Sequence, residues 1–286
     1  MNAPVRVTSS HQLANEWALV LLADGVTSSV ESGPDGYALS VRDSDLERAA
    51  SILDLYESEN PPPPPVDVEP DHPGSFDASL VTMASLLLFF LVTGPRDASI
   101  RWFERGSADA ERILSGEAWR TVTSLTLHAD LAHVLGNAFA GALFLTALGR
   151  SLGPGLAIAL ALVAGAGGNF LNAVYHGTAH VSVGASTSVF GAVGLLGGRG
   201  VVRRGRIGAR GHRRWTPFAG ALALLAMLGT GARADLGAHL LGLLVGTGLG
   251  VVVTLALRRP LSNAMQWVLG ATALATVLYS WGVALD

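Results

Sequence analysis

Six stretches of this chain run without a single Asp, Glu, Lys or Arg: residues 78–95, 131–149, 151–198, 215–232, 236–257 and 260–285. A bilayer span needs about 20 mostly apolar residues. The 48-residue stretch is long enough for two, so the set predicts seven passes, near 78–95, 131–149, 154–173, 184–200, 216–232, 236–257 and 264–284. Charged residues make up only 14% of the chain, against about 25% in soluble domains. A soluble enzyme is excluded. Cysteine is absent, which also excludes a disulfide scaffold and any site built on thiolates. The expected fold class is an all-α polytopic membrane bundle with a small soluble α+β module at its amino-terminal end.

Charge marks off that module. Residues 1–75 carry 13 acidic and 3 basic side chains, residues 76–286 carry 16 basic and 9 acidic, and every basic residue is Arg. No basic leader precedes the first long apolar stretch, so a cleaved signal peptide is not expected. Within residues 1–60, Trp17–Leu22 is a short apolar run, and Thr27–Glu31 and Tyr37–Arg42 flank the turn cluster of residues 32–36 as in a hairpin. Ser44 and Glu47 make a capping-box pair, followed by Leu46, Ala49, Ala50, Leu53 and Tyr56 at helical spacing. Residues 61–77, with five consecutive prolines, read as an extended acidic linker. The remaining boundaries expected are a six-span core over 78–257 and a seventh span in 258–286.

Arginine-rich loops set the expected orientation. Arg203, Arg204, Arg206, Arg210, Arg213 and Arg214 follow the fourth segment, Arg258 and Arg259 the sixth, and Arg150 the second. Placing all three loops in the cytoplasm puts the amino terminus inside and the carboxyl terminus outside a cell (inner or plasma) membrane. Segments two, four and six then begin together at the outer face.

Polar groups inside membrane segments are costly and are read first as functional. His133 and Asn137 open the second segment, four residues apart and so on one helical face. Ser186 opens the fourth, in a Gly184-Ala185-Ser186 sequence, and His239 lies one turn into the sixth. Each has a structural reading when taken alone: a Ser in a glycine-rich helix serves close packing or bonds a carbonyl one turn back, and a membrane Asn links helices. Their common depth and side, which packing does not require, favour function. A Ser, a His and two side-chain donors in a dry bundle are the parts of acyl-transfer chemistry.

Residues 78–257 resemble the rhomboid intramembrane serine proteases. The resemblance rests on an ordered set: Trp119-Arg120 after Gly116, then His128, His133 and Asn137, then Gly184-Ala185-Ser186, then Ala238-His239 with Gly242 and Gly246. It implies a serine endopeptidase in which Ser186 is the nucleophile and His239 the general base. The oxyanion would be held by the Ser186 backbone N–H with the side chains of His133 and Asn137. Phe190 would stack on His239, and His128 would bond within the first outer loop. Trp119 and Arg120 would anchor that loop at the headgroup boundary, and Gly242 and Gly246 would let segments four and six approach. Thr187 stands where the family often has Gly after the nucleophile. The substrates implied are single-pass membrane proteins cut in or near their spanning segment.

The lipid bilayer is the surrounding partner, and nothing points to nucleic acid. No metal or organic cofactor is implied. Two rivals remain: a catalytically inactive rhomboid-like protein that binds membrane clients, and a transporter. The first is disfavoured because both Ser186 and His239 are present. The second is disfavoured because His176, His180 and His239 have no acidic partner inside a span.

Overall fold

The chain divides into two units, residues 1–66 and 67–286. The computed structural model describes residues 2–60, 72–97, 100–178, 180–206, 208, 212–228, 235–257 and 259–286. Most of the proline-rich linker expected at 61–77 lies outside the described residues.

The first unit runs β1 (Asn2–Thr8), α1 (His11–Ala23), β2 (Ser28–Gly33), β3 (Gly36–Arg42) and α2 (Leu46–Glu59). Its antiparallel sheet has the order β1-β3-β2, and the expected hairpin is formed by β2 and β3, closing at the Gly33–Gly36 pair. Gly36 adopts φ +117°, and any side chain there would strike the Thr8 carbonyl. Ser10 starts α1 by accepting a hydrogen bond from the Leu13 N–H. Trp17, Leu21, Val26, Leu39, Val41, Ala49 and Leu53 form a core of the unit's own.

Two local features depart from the sequence reading. Strand β1 is added at a sheet edge, where Pro4 is tolerated because an edge strand can forgo one ladder bond. The Ser44–Glu47 capping box is not formed. Residues 43–45 make a 3₁₀ turn instead, and the N-cap residue of α2, Asp45, makes no side-chain cap bond.

The second unit opens with α3 (Ser75–Thr93), followed by α4 (Ile100–Gly106), the short strand β4 (Ala108–Asp109), α5 (Ala110–Leu114) and α6 (Arg120–Thr123). Then come α7 (Leu131–Leu152), α8 (Pro154–His176), the short strand β5 (Val181–Ser182), α9 (Ser186–Arg206), α10 (His212–Leu228), α11 (Leu236–Ala256) and α12 (Asn263–Leu285). Among the described residues, α3, α7, α8, α11 and α12 are long and apolar enough to cross a membrane. Their outward faces expose large apolar residues such as Leu91, Phe139, Trp267 and Leu278, a surface suited to lipid. The protein is a multi-pass membrane protein.

The other two expected spans differ for separate reasons. Helix α9 is central, packed against α7, α8, α10 and α11. Most of its residues are buried, and glycine and arginine lower its hydropathy. Helix α10 has 17 described residues, and the rest of the 216–232 segment lies outside them.

Helices α9 and α11 meet backbone to backbone. A Cβ on Gly194 would overlap the Leu243 carbonyl, and one on Gly198 the Thr247 carbonyl. From the other side, Gly246 faces the Gly191 carbonyl and Gly250 that of Leu195. Such small-residue faces are how membrane helices pack without a hydrophobic drive between them. Helix α12 is fastened through Gln266, which donates to the Leu152 carbonyl and accepts from the Leu156 N–H, each at 2.8 Å.

Candidate active site

The turn ahead of α9 is built around Gly184, whose φ of +125° is a conformation that side-chain-bearing residues rarely adopt. Its N–H donates to the Ser124 carbonyl at 2.9 Å. The next N–H, of Ala185, donates to His128 Nε2 at 3.3 Å. Asn169 ties the same region down by donating to Ser124 Oγ and to the Thr121 carbonyl, each at 3.0 Å. Held in this way, the chain begins α9 at Ser186.

Helix α11 is started by Asp235, whose carboxylate accepts from the Ala238 N–H at 3.0 Å. This fixes His239 one turn into the helix. The glycine contacts between α9 and α11 then bring the two side chains together. Ser186 Oγ lies 2.8 Å from His239 Nε2. His239 is buried, and Ser186 is partly exposed. Phe190, one turn below Ser186, sets its ring 4.7 Å from the His239 imidazole at an interplanar angle of 35°, tilted rather than stacked flat.

His133 and Asn137 reach the same place from α7. Asp130 caps this helix by accepting from the His133 N–H at 2.8 Å. A Cβ on Gly184 would stand 2.6 Å from His133 Nε2 and 3.4 Å from Asn137 Nδ2, so both side chains press on the turn that leads to Ser186. Asn137 is buried, and its Nδ2 has no hydrogen-bond partner. A buried amide donor left unpaired is expensive and is poised to serve an incoming acceptor. The expected nucleophile, base and oxyanion residues are thus brought together.

Of the supporting residues, Trp119 and Arg120 are placed differently from the sequence expectation. His128 also reaches beyond its own loop, its Nε2 accepting from the Ala185 N–H, and so supports the turn itself. Burial, and then the neighbouring His133, hold its pKa down to about 3. The ring is therefore neutral, as an acceptor nitrogen requires. Arg120 is not a headgroup anchor. It is 2% exposed, and it donates to Glu117 at 2.6 Å and to the Ser107 carbonyl at 3.1 Å, so it braces the loop from within. Trp119 packs into a cluster with Phe103, Leu127 and Trp281. Gly242 faces the Thr187 backbone, and Gly246 that of Gly191. Thr187 itself is buried, and its γ-methyl fits against Gly168 and Gly242, which accounts for a β-branched residue at this position.

One group at the same end of the bundle was missed. His180 pairs with Asp235, which lies just ahead of α11, and His176 stacks on His180. The His176-x3-His180 spacing is a sequence signal for such a group, but its acidic partner is 55 residues further on.

Comparison with known proteins bears on this geometry. The Rhomboid domain profile matches residues 115–256, a range that contains His128, His133, Asn137, Ser186 and His239 and ends with α11. YdcA, a Bacillus subtilis (strain 168) protein named for the rhomboid proteases, is 36% identical over 118 residues, covering 41% of this chain and 57% of its own. The rhomboid protease GluP of the same organism is 32% identical over 113 residues, covering 39% of this chain and 22% of its own. RHOMBOID-like protein 6, mitochondrial, of Arabidopsis thaliana is 30% identical over 104 residues, covering 36% of this chain and 33% of its own. The matched region therefore spans little more than half of the first relative's length and less of the others.

Proposed function

From the premise that this chain belongs to the rhomboid family, we propose that it is an intramembrane serine endopeptidase working through a Ser186–His239 dyad. The observation that carries the reading is the 2.8 Å separation of Ser186 Oγ and His239 Nε2, on two helices whose glycines enforce the approach. A serine hydroxyl at its free pKa is a poor nucleophile, and a neutral imidazole within hydrogen-bond reach can take its proton. Oγ attacks the scissile carbonyl, and negative charge develops on the carbonyl oxygen. The Ser186 N–H, Asn137 Nδ2 and the His133 imidazole are the donors for that charge, each worth roughly 3 kcal/mol in the transition state. The helix α9 amino terminus adds its dipole. His239 then protonates the leaving amine, and water repeats the sequence to release the acyl group.

A helical substrate hides each carbonyl in its own hydrogen-bond ladder. The substrate class proposed is therefore a single-pass membrane protein whose spanning segment unwinds locally near the site. The proposed topology has the amino terminus in the cytoplasm and the dyad near the outer face. Arg150, near the end of α7, and Arg203, Arg204 and Arg206, at the end of α9, support it. Residues 78–257 are proposed as the catalytic core, with α12 an added span and residues 1–60 an accessory cytoplasmic module.

The test is a fluorophosphonate probe on the detergent-purified protein. The parent chain is expected to label covalently, Ser186→Ala to lose labelling completely, and His239→Ala to lose most of it. Labelling that persists in Ser186→Ala refutes the nucleophile. A parent chain that never labels and never cuts a reconstituted single-span substrate makes the client-binding reading the correct one.

A further inference from the structure

We propose that His176, His180 and Asp235 form a binding site for a divalent transition-metal ion of the zinc type, bridging the end of α8 to the start of α11. The ligand atoms of the three residues lie within 4.8 Å of one another. Two imidazoles and a carboxylate are a donor set that suits zinc, which takes nitrogen and oxygen ligands at about 2.0–2.2 Å and leaves a fourth position to water. Tetrahedral ligand atoms then stand about 3.3 Å apart. The 2.7 Å contact between His180 Nε2 and Asp235 Oδ2 has to open by about half an ångström to admit the ion. The rings of His176 and His180 are stacked, with centroids 3.8 Å apart and planes 8° from parallel, so one ring has to turn for both nitrogens to aim at a single ion. Asp235 uses Oδ1 to cap α11 and Oδ2 toward His180, so metal ligation through Oδ2 leaves the cap in place.

A second observation points to the same spot. Asn172, one turn before His176 on α8, is 2% exposed and donates to Asp235 Oδ2 at 2.9 Å, yet its Oδ1 has no hydrogen-bond partner. Asn172 Oδ1 and His176 Nε2 both lie beside Gly237, 2.7 and 3.6 Å from the point where a Cβ on that glycine would stand. A buried carbonyl oxygen without a donor calls for one, and a metal-bound water beside Asp235 would supply it. The ion would tie the end of α8 to the cap of α11, joining His176 and Asp235, which lie 59 positions apart in the sequence.

The experiment titrates zinc chloride into the tag-free, detergent-purified full chain by calorimetry, with melting temperature followed in parallel. The parent is expected to bind one zinc per chain at micromolar Kd or tighter and to melt higher with zinc than with chelator, because a ligand of the folded state stabilises it. His176→Gln and His180→Gln should each weaken binding at least tenfold, and the double variant should lose both the saturable binding and the zinc-dependent rise. Glutamine at 180 keeps a donor for Asp235, and His176 makes no bond to that carboxylate, so these variants should melt like the parent in chelator. No saturable binding by the parent up to millimolar zinc, or undiminished binding by the double variant, overturns the proposal. Neither readout depends on Ser186 being a nucleophile.

Discussion

Thr187 seats its γ-methyl in a notch at Gly242, 2.9 Å from the point where a Cβ on that glycine would stand, and the Thr187 carbonyl oxygen lies nearer still. The residue after Ser186 and the residue three after His239 are thus in direct backbone register. Any side chain at 242 must push α9 and α11 apart, and with them the hydroxyl and the imidazole. Gly242→Val should lower fluorophosphonate labelling of Ser186 more than tenfold and cost about 1–3 kcal/mol of stability through overpacking. Normal labelling in Gly242→Val would contradict this.

Asn137 contributes a buried Nδ2 that has nothing to bond in the resting protein. Asn137→Ala should reduce kcat about 10²–10³-fold toward a reconstituted substrate, leave KM near the parent value, and leave stability unchanged or slightly raised. A change confined to KM would place the residue in substrate binding instead.

His128 supplies an acid-sensitive element. Its ring stays neutral in the folded chain down to about pH 3, whereas in the unfolded chain it takes up a proton near its ordinary value of 6.5. Within that window the unfolded state binds the additional proton, so stability falls as pH is lowered, by about 1.4 kcal/mol per unit for this group. Thermal melts from pH 7 to pH 4 should show a decline that flattens in His128→Gln, whose side-chain oxygen can still accept from Ala185. An unchanged slope would remove His128 as the cause.

Gln266 satisfies two buried backbone groups of the α7–α8 turn at once. Gln266→Leu leaves both unpaired and should destabilise the protein by about 2–5 kcal/mol in chemical denaturation. Ser186 labelling at low temperature should persist, because α12 touches neither α9 nor α11 among the main packing pairs. Loss of labelling with the fold intact would give α12 a role in the site.

Leu53 is fully buried in the core of the first unit. Leu53→Ala should cost about 2–5 kcal/mol in that unit, measured as its own melting transition, and leave labelling of Ser186 as in the parent.

The sequence by itself determined the membrane class, because absence of charge over a bilayer's length is a one-dimensional property. It also determined which helix carries each candidate residue, through Gly184-Ala185-Ser186 and Ala238-His239, and marked the two-part division by charge. The glycine spacing at 242, 246 and 250 announced a close helix face without naming the partner's facing glycines at 194 and 198. What lay beyond it were relationships between distant positions. Arg120 reads as a surface anchor until its partners, the half-buried Glu117 and the buried Ser107 carbonyl, are seen, and the reach of His128 to the Ala185 N–H joins residues 57 positions apart. The notch that admits Thr187, the unpaired Nδ2 of Asn137 and the gathering of His176, His180 and Asp235 were decided only by tertiary structure. A helix's own pattern fixes which residues share a face. Which atoms meet across that face depends on how closely and in what register the helices pack.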